Sequence, residues 1–153
     1  MAEANDVLKL YAKRILALAA EIPFATLIPE PESSSKKRSP LCGSTVTVGV
    51  KTDGGRVSSF GQDVKACALG QASASVLGKN VIGRNRREIE HARNQLEAML
   101  KEDGQVPDPP FEELEALRPA KDFKNRHASI LLAFDATIDA MQALEEVPGL
   151  TSD

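Results

Sequence analysis

The sequence predicts an α+β fold, a small antiparallel sheet packed against several helices. Three observations lead there. The chain opens on an amphipathic helical stretch, continues into a β-branched hairpin, and then reads as a series of helices. From Asp6 to about Ala20, apolar residues recur at Val7, Leu10, Tyr11, Ile15, Leu18 and Ala19, the spacing of one helix face. Pro23 ends that helix. Phe24 to Ile28 reads as a short edge strand. The polar stretch that follows, about 29–39, carries two prolines, four serines and a Lys-Lys-Arg run, and is expected to be a mobile surface loop.

Thr45 to Lys51 alternates β-branched residues and predicts a strand. Thr52-Asp53-Gly54-Gly55 is a turn signal, and Arg56 to Phe60 returns as the second strand. After Cys67 small residues run to Ser75, giving a helix able to approach a sheet closely. Asn85, with Glu88 three residues later, predicts a capping box. Ile89, Ala92, Leu96, Met99 and Leu100 form the buried stripe of the helix behind it, and Asp103-Gly104 ends it. Pro107, Pro109 and Pro110 make an extended connection to a short acidic helix over Phe111 to Leu117. His127 to Leu144 is the last helix, with Ile130, Leu131, Phe134, Ile138, Met141 and Leu144 on its apolar side.

Length and composition narrow the function classes. A chain of 153 residues suits one domain spanning 1–153. Hydrophobic residues make up 42% and charged residues 27%, the balance of a soluble globular protein. The net charge of −3, and a basic cluster at Arg84, Arg86 and Arg87 without interleaved aromatics, give no footprint for nucleic acid. No apolar run approaches the roughly 20 residues that a membrane span needs. Glu3 and Asp6 break any signal-peptide pattern. A cytoplasmic protein with reduced thiols is the expectation, and a Cys42–Cys67 disulfide is not.

The two cysteines carry the chemistry. A thiolate binds soft or borderline metals and can also carry transferable sulfur. Cys42 precedes Gly43, which permits a sharp turn before the strand. Cys67 falls at a predicted helix start, where unpaired amides and the helix dipole favour a thiolate. The hairpin brings both to one end of the sheet. By spacing alone, neither is a specific metal motif, and two unrelated buried cysteines remain open. Asp135 and Asp139, one turn apart, read as a solvated face. There is no glycine-rich phosphate loop and no hydrolase or transferase signature.

The flanking residues sharpen this. Pro40-Leu41-Cys42-Gly43-Ser44, and Cys67-Ala68-Leu69-Gly70-Gln71-Ala72-Ser73-Ala74-Ser75, resemble two of the three cysteine motifs of the IscU/NifU-type iron–sulfur cluster scaffold family, closest to its SufU branch. The third motif is degenerate. Phe123, Arg126, Leu132, Ala133 and Phe134 fit the SufU frame, and Ser129 stands where cysteine belongs; in the IscU frame, Ala128 takes that place. Ser44 replaces the family's aspartate after Cys-Gly. The resemblance spans about residues 8–145.

That resemblance implies a SufE/NifU-like fold. It implies a scaffold, rather than a clear enzyme, that binds a metal, iron or a nascent, labile Fe–S cluster. Sulfur would arrive from a cysteine desulfurase and pass to Fe–S acceptor proteins. Cys42 and Cys67 would be the sulfur-accepting thiolates and metal ligands, with His127 as third ligand. Ser44, Ala128 and Ser129 would be degenerate ligand positions. Two alternatives stand beside it: a SufU-like, zinc-dependent sulfur acceptor, and an adaptor of the same fold that has lost metal chemistry. A homo-oligomer stays open.

Overall fold

The computed structural model describes residues 2–41 and 43–145, with side chains from residue 9 onward. Helix α1 (Ala2–Ala20) leads into strand β1 (Ser33–Arg38), then the hairpin β2 (Thr45–Asp53) and β3 (Arg56–Lys65). Helices α2 (Ala68–Asn80) and α3 (Arg86–Glu102) follow. Two 3₁₀ segments, Glu112–Asp122 and Lys124–Arg126, lead directly into α4 (His127–Glu145). The sheet is antiparallel throughout, in the order β1-β2-β3. The fold is α+β, as the sequence predicts.

The hairpin forms for the reason the sequence suggests. Val46, Val48 and Val50 alternate inward along β2 and are buried, while Thr45 and Thr47 turn outward. Gly54 and Gly55, both at positive φ, close the turn between the paired Asp53 and Arg56. Helix α4 lies across β1 and β2, α2 packs beside it, and α1, α3 and the long 3₁₀ segment form the outer layer. Small buried residues on α2, among them Ala72, Ser73, Ala74 and Ser75, allow that tight stacking. Fully buried Gln62 ties β3 to α2 through Nε2, which donates to the Ala74 carbonyl at 3.0 Å.

The capping box of α3 is complete. The Asn85 side chain accepts from the Glu88 N–H at 2.8 Å, and the Glu88 carboxylate accepts from the Asn85 N–H at 3.0 Å. The Asn85 N–H bond, with Arg56 and Arg84 beside it, holds the Glu88 carboxyl below its ordinary pKa. Asp103 ends the helix in the left-handed region, its N–H on the Ala98 carbonyl. Helix α1 is clamped to the long 3₁₀ segment. The Tyr11 hydroxyl and Arg14 (2.8 Å) both reach Glu115.

Three expectations are corrected. Phe24 to Ile28 is not a strand; it runs beside β3, where the Gln62 N–H bonds the Phe24 carbonyl at 2.9 Å. The strand lies instead within the stretch expected as a loop, where Ser33 to Arg38 pairs with β2. These six polar residues have little strand propensity of their own, and the exposed edge of β2 imposes the conformation on them. The acidic segment after Phe111 is 3₁₀ rather than α-helical, and runs on to Asp122.

Phe134 is fully buried and packs edge-on to Phe111, ring centroids 5.8 Å apart. Phe134→Ala is expected to cost about 3–5 kcal/mol in urea denaturation. Asn85→Ala, which opens only the capping box, is expected to cost about 1 kcal/mol in the same assay.

Candidate functional site

Cys67 sits at the N-cap of α2 in extended backbone (φ −67°, ψ 169°) and is half-buried. The turn that presents it is held from below. Gln71 Nε2 donates to the Ala66 carbonyl at 2.8 Å, while the Gln71 N–H bonds the Cys67 carbonyl at 2.9 Å. One residue therefore fixes the backbone on both sides of the cysteine. No strict cap bond closes onto Sγ, yet the first-turn amides act on it. Burial pushes the thiol's pKa up. The Gly70 N–H, the Ser129 hydroxyl, the Leu69 N–H and the Arg126 charge outweigh burial, and the net shift is downward.

Two hydroxyls complete the cluster. Ser129, on the first turn of α4, places Oγ 3.6 Å from Cys67 Sγ and 2.9 Å from Ser44 Oγ. Both serines are buried. Ser129 has a single proton to give. Facing a thiol it can donate to Ser44 and accept from the S–H. Facing a thiolate it must turn its proton toward sulfur, and it can then accept from Ser44. Ser44 is positioned by the turn before β2: the Ser39 N–H bonds the Ser44 carbonyl, and the Gly43 N–H bonds the Ser39 carbonyl. Gly43 lies at φ +70°, a conformation that glycine adopts without strain.

The contact of α2 with α4 is close at this point. A Cβ added to Gly70 would lie 2.8 Å from Ser129 Oγ and 2.9 Å from the Ala66 Cβ. Only glycine lets the two helices bring Cys67 and Ser129 this near.

The structure thus brings together Cys67, Ser44 and Ser129. Cys42, which precedes Gly43 in the sequence, lies outside the described residues. His127 is not brought to the cluster. It is two residues before Ser129, about 200° around a helix. Its buried ring sends Nε2 to the Ala120 carbonyl at 2.9 Å, which requires Nε2 to carry the proton. It lines a separate cavity of about 300 Å³ with Leu100, Lys101, Lys121 and Lys124. Ala128 is exposed and faces a third direction, a cleft shared with Lys37, Arg38 and Leu132. Among the described residues, no three His, Cys, Asp or Glu side chains gather into a metal-holding set. Gly70, Gln71 and Arg126 had no individual role in the sequence reading. Gly70 and Gln71 stand within the dense match around Cys67 and Arg126 within the degenerate third motif, and ligand spacing weighs neither.

Gly70→Ala is expected to cost about 1–3 kcal/mol in thermal denaturation, through overpacking against Ser129. A second expectation concerns reactivity. On a Cys42→Ser background, alkylation of Cys67 by iodoacetamide should rise at lower pH than for an ordinary thiol, near 8.5. Ser129→Ala should move that profile upward, because the thiolate loses a donor. A superimposable profile would remove the hydroxyl from the account.

No family model matches the chain, and no curated protein does. Solved structures do. The chain is similar to the N-terminal part of a nitrogen-fixing NifU-like protein from Brucella abortus, with 46% identity over 88% of this chain and 93% of that one, and a TM-score of 0.85. It also shares its fold with a candidate iron–sulfur cluster assembly scaffold protein of the SUF system from Fervidobacterium islandicum, at 20% identity over 84% and 93% of the two chains and a TM-score of 0.74. On the strength of the first of these, the chain belongs to the IscU/NifU-like scaffold family.

Proposed function

We propose that the protein serves iron–sulfur cluster assembly as a sulfur carrier, with Cys67 as the working thiolate and Cys42 as its companion. The observation that carries this reading is the Cys67 microenvironment: a half-buried thiol whose pKa is lowered at a helix start. That is what a thiolate nucleophile needs. A cysteine desulfurase would supply sulfur as a persulfide. The Cys67 thiolate attacks the outer sulfur, a new S–S bond forms at Cys67, the donor's S–S bond breaks, and the donor leaves as a thiolate. The same exchange, repeated, hands the sulfur to an Fe–S acceptor protein. No net oxidation occurs in either transfer. A reducing cytoplasmic compartment, where the thiols stay free, fits this chemistry.

The donor set argues against a resident zinc. A closed zinc site takes four thiolate, imidazole or carboxylate ligands. Here Ser44 and Ser129 offer hydroxyls bonded to each other, and His127 is turned away with its Nε2 proton on a carbonyl. Even with Cys42, two thiolates remain. The second reading, a labile cluster or iron held as cargo on Cys42 and Cys67, draws on the scaffold family itself. It requires the remaining ligands to come from a partner.

Incubation with a cysteine desulfurase and cysteine, followed by mass spectrometry, is expected to find one added sulfur on the peptide carrying Cys67. Cys67→Ser should abolish the desulfurase-dependent gain. Anaerobic iron and sulfide should yield no absorbing species that survives desalting. A cluster that does survive would favour the scaffold reading, and neither product would leave an adaptor. Ser129→Cys should restore a third thiolate and tighten cobalt or zinc binding by at least about tenfold. Ala128→Cys, which faces away from Cys67, should leave it unchanged.

A further inference from the structure

Strand β1 is the outer strand of the sheet, and it packs chiefly on β2 and α4. Its inner edge pairs with β2 from Ser33↔Val50 to Arg38↔Thr45. The Ser39 N–H on the Ser44 carbonyl continues that ladder and sets its phase. Bonded and non-bonded residues alternate in antiparallel pairing. Positions 35 and 37 therefore bond to β2, and the backbone N–H and C=O of Ser34, Lys36 and Arg38 point out of the sheet.

The side chains divide the same way. Ser35 and Lys37 turn to α4, where Asp139 accepts from Ser35 at 2.7 Å and pairs with Lys37 at 3.8 Å. Ser34, Lys36 and Arg38 are exposed. Lys36 and Arg38 make no ion pair among the described residues, and β1 has no acidic residue of its own. The edge thus offers three main-chain positions that point away from β2 and two cations without an ion-pair partner among the described residues.

Charge decides what such an edge can accept. A second copy pairing antiparallel about Lys36 would set lysine against lysine, which is unfavourable across a sheet. Edge lysines are a common guard against that self-pairing. A nucleic acid would find no aromatic side chain on the strand to stack a base. The complement is an extended chain with carboxylates on alternate residues. We propose that the outer edge of β1 receives an acidic, extended segment of a partner protein as a fourth strand of the sheet. The docked segment would run alongside the turn that leads from Arg38 to Ser44. The inference stands whether or not Cys67 carries sulfur.

The test uses the whole protein and two capped octapeptides, one alternating Glu and Val, the other Lys and Val. Backbone amide NMR with hydrogen exchange is the readout. The acidic peptide should bind and slow exchange at the Ser34, Lys36 and Arg38 amides. The basic peptide should not bind. The double variant Lys36→Glu/Arg38→Glu alters only exposed side chains, and its fold is checked by circular dichroism. It should weaken the acidic peptide by about fivefold or more and gain binding of the basic one. Three results would overturn the proposal: equal binding of both peptides, binding of the acidic peptide without protection of the three amides, or protection caused by concentration-dependent self-association. Failure of the acidic peptide to bind at millimolar concentration would overturn it as well.

Discussion

Gly70 and Ser129 touch with no room for one more carbon between them, and the candidate site is built outward from that contact. The approach of α2 to α4 puts the first turn of each helix at the same point. The amides at the start of α2 then act on Cys67, while the hydroxyl at the start of α4 reaches its sulfur. Were the helices a carbon farther apart, Cys67 would lose the Ser129 donor and keep the burial that opposes ionisation. The run of small residues along α2 extends the same close contact across the sheet, so packing and the state of the thiol share one cause.

Much of this was legible beforehand. The capping box at Asn85 and Glu88, the stop at Asp103 and the glycine turn between β2 and β3 are local signals, and each appears where the sequence puts it. What escaped was set by neighbours far along the chain. Ser33 to Arg38 reads as a loop because nothing in Ser-Ser-Ser-Lys-Lys-Arg prefers a strand; its partner is β2. Phe24 to Ile28 has the residue types of a strand, but it lies beside β3 without joining the ladder. The position of His127 was legible and its direction was not, because two residues of helix reverse the face and only the packed helix reveals which face meets Cys67.

The two serines change what such a site can do. A carboxylate and a thiolate at those positions would be fixed negative charges that call for a cation. Two buried hydroxyls are neutral, and Ser129 donates its proton to Ser44. Next to Cys67 these two positions therefore add no negative charge for a metal ion to offset. Polar partners of adjustable direction suit a sulfur that passes between thiol and thiolate.

Strand β1 has a consequence of a different kind. None of its six side chains is apolar, so it adds nothing to the hydrophobic core and is held by its ladder to β2 and the Asp139 contacts. Elements with few buried apolar contacts open at low free energy. Sub-global unfolding should begin here, with β1 peeling away while the valines of β2 and the packed helices stay closed. The turn that carries Gly43 and Ser44 is tied to the end of β1 through Ser39, so it would loosen in the same event. In the native ensemble, access to the thiol region and fraying of the sheet edge become one fluctuation.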